Sequence, residues 1–191
     1  IPRDNLVMRM SEEEWDKVVT EWFPFPNIRK GTYNKCLEYL KTFDGFGDVE
    51  IVGVEKQFHT TIEGYKFVGY ADLILRDENG IILVDHKSHK TYSSKEKEKA
   101  VQQLYLYAYC IEEEYGEYPY KMVFNHFKDS KLSEEIFDKN KLNLAVTTFV
   151  YDVDEILEKP IDSEWECKTD DWVCSNLCGM YGCMWNKHYE E

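Results

Sequence analysis

The chain has 191 residues, 43% hydrophobic and 15% aromatic, enough for one sizeable core with a small appendage. Its formal net charge of -14 argues against broad attraction to nucleic acid, so any such contact must come from a local patch. No run approaches the ~18 apolar residues of a membrane-spanning helix, and the opening IPRDNLVMRM lacks the order of a secretion signal, so a soluble, cytoplasmic protein is expected.

The stretch from Ser11 to Trp22 begins with a capping-box pattern, Ser11 followed by Glu14, and carries Trp15, Val18, Val19 and Trp22 at helical spacing. FPFPN breaks it, and a second helix is expected from Ile28 to Phe43, ended by DGFGD. Three strands follow, VEIVGVEKQFHTTI, YKFVGYADLILRD and GIILVDHKS, joined by EGY and DENG turns into an antiparallel meander. A lysine-rich polar stretch from Thr91 to Lys99 leads into a helix, AVQQLYLYAYCIEEEYG, with a glycine stop at Gly116. KMVFNHF reads as a short strand, and the segment from Asp138 to Glu158 as a helix. The expected fold class is α/β or α+β, with a mixed central sheet flanked by helices. The expected domains are an N-terminal helical region (1–48), the core (49–160) and a Cys-rich tail (161–191).

Within GYADLILRDENGIILVDHK, residues 69–87, Asp72 and Asp85 interrupt apolar runs. A carboxylate buried there without a partner costs several kcal/mol. Side chains alternate along a strand, so Asp85 and Lys87 share a face, with His86 opposite and Asp72 on the neighbouring strand. Two converging carboxylates repel unless a divalent cation neutralises them, and hard oxygen ligands suit Mg2+ or Mn2+. A lysine beside such an ion can stabilise developing negative charge or help deprotonate an attacking water. The bland alternative is two strand-end acids and an ordinary salt bridge.

The order of these residues resembles the motif set of the PD-(D/E)XK nucleases. Gly69-Tyr70-Ala71-Asp72, a hairpin turn, Val84-Asp85-His86-Lys87 and then Gln103-Leu104-Tyr105-Leu106-Tyr107 are similar to the RecB-like exonuclease branch. That branch includes the RecB and AddB nuclease domains, CRISPR-associated RecB-like nucleases and phage homologues. The resemblance covers roughly Val49 to Lys187 and implies a restriction-endonuclease-like core and phosphodiester hydrolysis in DNA recombination or repair. It implies Asp72, Asp85 and the His86 carbonyl as metal ligands and Lys87 as the catalytic lysine. Gln103 and Tyr107 would be the QxxxY element at the active site or DNA, and Glu55 an added carboxylate. Without the resemblance, Tyr107 reads as core and Gln103 as surface. The family's upstream histidine has no counterpart before Glu55, so the expectation is a segment preceding Ile1, an acid such as Glu38 in its place, or loss of activity.

Lys90, Lys95, Lys97 and Lys99, near His86 and His89, form a basic patch that would contact DNA phosphates; Glu96 and Glu98 alternate with it, as in a solvated charged loop. Cys36 and Cys110 sit alone in helix-like stretches, as small core residues do. Cys167, Cys174, Cys178 and Cys183 crowd a loop-rich end, a composition expected of a metal knot. The resemblance implies that Cys174, Cys178 and Cys183 hold a four-iron, four-sulfur cluster. Cys167, Cys36 or an upstream residue would be the fourth ligand, and zinc is the alternative. Trp165, Trp172, Tyr181 and Trp185 would pack around it. The competing function is a non-catalytic module that keeps the fold and the cysteine knot and binds DNA ends or a partner protein.

Overall fold

The computed structural model describes residues 45–88 and 90–160, with ten separate positions before residue 44: Glu13, Lys17, Thr20, Glu21, Asn34, Lys35, Glu38, Tyr39, Thr42 and Phe43. Of those ten, all but Phe43 are helical, in the two stretches where the sequence predicts helices. The chain divides into two units, Ile1–Val153 and Asp154–Glu191. The Cys-rich stretch, Cys36 and His89 lie outside the described residues.

Five strands form one sheet in the order β1-β2-β3-β4-β5. The meander β1 (Glu50–Ile62), β2 (Tyr65–Asp77) and β3 (Gly80–Lys87) matches the sequence reading to within a residue at each end. Glu63 and Gly64, with φ of 48° and 89°, make the tight turn between the first two strands. Helix α1 (Ser94–Tyr115) then crosses over, so that β4 (Lys121–His126) runs parallel to β3. The last strand, β5 (Lys131–Ile136), returns antiparallel to β4 and precedes α2 (Lys139–Glu158). The result is a mixed sheet flanked by helices, a restriction-endonuclease-like α/β fold.

Two differences from the sequence reading have local causes. Helix α1 starts at Ser94 rather than near Ala100, because Ser93 and Glu96 close a capping box. The Ser93 hydroxyl accepts the Glu96 amide, and the Glu96 carboxylate accepts the Ser93 amide at 2.8 Å. Lys95, Lys97 and Lys99 therefore lie on the first turns of a helix and not in a loop. The second difference is β5, which the sequence did not reveal: its apolar residues Leu132 and Ile136 are exposed, so KLSEEI carries no hydrophobic signature.

One sheet face packs against α1 and the N-terminal half of α2. Ile74, Ile81, Leu83, Met122 and Phe124 from the strands meet Leu104, Tyr105, Ala108 and Ile111 of α1, with Leu142 and Ala145 of α2. The opposite face buries Leu75, Ile82, Val84 and Val123 beneath Phe46, Val49 and Tyr120. Because β3 is covered on both sides, its residues from Ile81 to Asp85 form one buried run.

Candidate active site

The alternation along β3 puts Leu83, Asp85 and Lys87 on the α1 face and Val84 and His86 on the other. The β2–β3 ladder pairs Leu73 with Val84 and stops there. At the next rung stand Asp72 and Asp85. The His86 amide, freed from the ladder, donates to Asp72 Oδ2 at 2.6 Å. The two carboxylates are thus brought to one end of the hairpin, close enough for the charge of Asp72 to raise the proton affinity of Asp85.

Asp72 owes its placement to a slip in the strand. Ala71 and Ile74 both join the α1-side core although they are three residues apart, so strict alternation fails once between them. The partner strand slips at the same level. Glu55 adopts a left-handed φ of 48°, and the pairs Val54–Leu73 and Lys56–Ala71 bracket it opposite Asp72. The register is the same on either side of Glu55, and the shift in this ladder lies further back, between Ile51 and Gly53. The exposed Glu55 carboxylate is near enough to act on His86, alongside Asp72 and Asp85.

Asp85 is 5% exposed. Lys87 Nζ approaches Asp85 Oδ2 to 2.7 Å. That approach is an ion pair outside hydrogen-bond geometry, and the enclosed oxygen has no hydrogen-bond partner. Burial pushes the Asp85 carboxyl above its ordinary pKa, and Lys87 only partly offsets this. For Lys87 the balance runs the other way: burial works to lower its pKa, but Asp85, with smaller contributions from Tyr92 and then Asp72, outweighs it and holds the ammonium charged.

These residues fit a hard divalent cation. An enclosed carboxylate oxygen that faces only the Lys87 ammonium, next to a second carboxylate, is a donor set that such an ion would satisfy. Among the described residues no group of three or more His, Cys, Asp or Glu gathers into a ready-made cage. Coordination beyond two carboxylates would fall to main-chain carbonyls and water, as suits Mg2+.

On the far side of β3, the His86 ring stacks on Phe127, with centroids 5.2 Å apart. Its Nδ1 is 3.3 Å from Asn125 Nδ2, which also donates to the Tyr39 hydroxyl at 2.6 Å. Burial lowers the His86 pKa, against the pull of the nearby carboxylates. The side chain of His86 is therefore clamped on that face while its main-chain amide is directed toward Asp72 of β2.

Gln103 and Tyr107 meet each other, the amide donating to the phenol at 2.7 Å. The Tyr107 ring lies on Gly69, where an added Cβ would come within 2.7 Å of it. Among the described residues neither hydrogen-bonds to Asp72, Asp85 or Lys87. Lys97 is engaged by β5, pairing with Glu135 at 3.2 Å and donating to the Glu134 carbonyl at 2.8 Å. Lys95 and Lys99 are exposed on α1, and Lys90 is exposed before it.

Tyr39, Asn125 and Tyr92 are the site neighbours that sequence reasoning missed. The one available signal was Asn125 in the apolar strand KMVFNHF, a polar residue that is fully buried.

Residues 2–181 match the PD-(D/E)XK nuclease superfamily, and the chain belongs to that superfamily. No curated protein matches it. Among 24 matching chains of known structure is one described as "Crystal structure of SSO0001". The similarity to it is 19% in sequence, with a TM-score of 0.40, over 85% of this chain and 73% of that one.

Proposed function

We propose that the protein is a Mg2+ or Mn2+-dependent DNA exonuclease of the RecB-like branch, acting in phage or bacterial recombination and repair. The observation that carries this reading is the meeting of Asp72, Asp85 and Lys87 at the end of one hairpin, in a chain of the nuclease superfamily. A divalent cation held by Asp72, Asp85 and the His86 carbonyl would supply Lewis acidity at the phosphate and lower the pKa of water. Lys87, kept charged by its carboxylate neighbours, acts by stabilising negative charge that develops on the phosphoryl oxygens. Asp72 has a second duty, since the oxygen that accepts the His86 amide fixes the carboxylate against β3. Glu55, on β1 across from Asp72, belongs to the reading as an added carboxylate near the site and not as a third member of a preformed cage. Lys90, Lys95 and Lys99, the exposed members of the basic patch, would meet a DNA backbone, whereas Lys97 is engaged by β5. The tail cysteines Cys174, Cys178 and Cys183, with Cys167, belong to the proposal as ligands of a four-iron, four-sulfur cluster.

The test is digestion of linear and covalently closed DNA with Mn2+. Release of short products from the linear form alone, lost in Asp72→Asn, Asp85→Asn and Lys87→Ala, is expected. Equal cleavage of closed circles would replace the exonuclease reading with an endonuclease one. Undiminished activity in all three variants would remove the site assignment.

A further inference from the structure

The parallel β3–β4 register pairs Asp85 with Phe124 and Lys87 with His126. Phe124 and His126 therefore stand beside Asp85 and Lys87 on the α1 face of the sheet. Tyr92 packs edge-on against both: its ring centroid is 5.2 Å from that of Phe124, at 82°, and 5.2 Å from that of His126, at 83°. The chain thus leaves β3 after Lys87 and brings an aromatic ring back to the column adjoining the site. At that position the Lys87 and Asp85 charges both act on the Tyr92 phenol.

The return is held at three points. The Phe127 amide donates to the Lys87 carbonyl at 3.0 Å, prolonging the parallel ladder past the strand end. Asp129, in the turn before β5, accepts two hydrogen bonds on one oxygen, from the Thr91 amide at 2.6 Å and the Thr91 hydroxyl at 3.0 Å. The capping box at Ser93 then fixes the start of α1. A connection pinned this way leaves Tyr92 little freedom.

We propose that Tyr92 is a positioning residue for Lys87, set beside it by the clasp between Thr91 and Asp129. A lysine has a flexible four-carbon stem, and an ion pair with one carboxylate leaves it several conformers. The Tyr92 ring closes the side away from Asp72 and restricts that choice. The inference rests on the nuclease reading for its consequence, although not for its geometry.

Two readouts on the full chain test it. The first is the order of the Lys87 side chain, from relaxation of a labelled ε-carbon, with Lys95 as internal reference. In Asp129→Ala and Tyr92→Ala the Lys87 order parameter falls by roughly a third, while Asp129→Asn, which keeps an acceptor oxygen, and Tyr92→Phe, which keeps the ring, retain it. The second is steady-state cleavage of linear DNA, where the alanine variants lose about tenfold in kcat with KM within about twofold, and the conservative variants recover. Thr91→Val deletes one clasp bond at constant volume and gives the same direction at smaller size, should an alanine variant fail to fold. Unchanged Lys87 order in folded Asp129→Ala and Tyr92→Ala overturns the proposal, as does lost order with kcat intact. Lost order in the two alanine variants, alongside a wild-type chain that is ordered at Lys87 but cleaves no DNA, supports the clasp and sinks the nuclease reading instead.

Discussion

The Asp72 carboxylate takes the His86 amide at 2.6 Å where the β2–β3 ladder ends, so a side chain continues the hydrogen bonding that the backbone gives up. The same residue that would bind a cation therefore also closes the hairpin. Asp72→Ala leaves the His86 amide without its acceptor and is expected to cost about 1–3 kcal/mol. Asp72→Asn keeps an acceptor oxygen and should cost much less, while losing the charge. Urea unfolding of the two variants distinguishes these roles, and equal stability would show that the amide bond contributes nothing.

Asp85 behaves differently, because its burial disfavours the charged form. Asp85→Asn removes that charge at constant shape and, because the raised pKa means that folding disfavours the charged form even with Lys87 beside it, is expected to be neutral or stabilising by about 1 kcal/mol, with activity abolished. Stabilisation of the wild type by Mn2+, read as a rise in Tm, should be lost with it. A variant less stable by more than about 2 kcal/mol would mean that the Lys87 ion pair outweighs desolvation.

Gly69→Ala forces a Cβ to 2.7 Å from Tyr107 Cε1 and 2.8 Å from Phe67 Cε1, both on rigid rings. Overpacking of this kind costs roughly 1–3 kcal/mol. Tyr107→Leu should restore part of it, in a double-mutant cycle measured by denaturant unfolding.

Glu135 contributes to the acid limb of the stability curve. Burial works to raise its pKa, but Lys141 and Lys97 outweigh that, so the folded value lies below the ordinary one. Its contribution is thus complete above the unfolded carboxylate pKa of about 4.3 and lost as pH falls through the folded value. Glu135→Gln is expected to be less stable than wild type at pH 7 and to converge with it once pH falls below the folded value, checked by urea midpoints at pH 7 and stepwise down the acid range.

Cys110 is buried in the α1-side core and its thiol is pushed up to about 12. It should resist alkylation in the folded state and react only on unfolding, as peptide-resolved mass spectrometry would show. Rapid labelling at neutral pH would contradict the packing around α1.

The hairpins were legible because β1, β2 and β3 carry apolar runs bounded by strong turns, and Asp72 and Asp85 stood out against them. The slip at Glu55 and Asp72 was not legible, since it requires a non-glycine residue in a left-handed conformation that no spacing announces. Nor was β5, whose burial is too slight to pattern its sequence. Tyr92 escaped for a different reason. Its partners Phe124 and His126 become neighbours of Asp85 and Lys87 only through the parallel register, a relationship set by the α1 crossover.

Strand β3 occupies the middle of the five-stranded order, with β2 and β4 on either side. Edge strands exchange their amide protons through local fraying, whereas a central strand opens only with most of the domain. The protons of Leu83 and Val84 should therefore be among the last to exchange, long after those of β5. Asp85 and Lys87 ride on that slow-opening element, so partial unfolding at the rim would leave their arrangement intact and any loss of it would be nearly all-or-none.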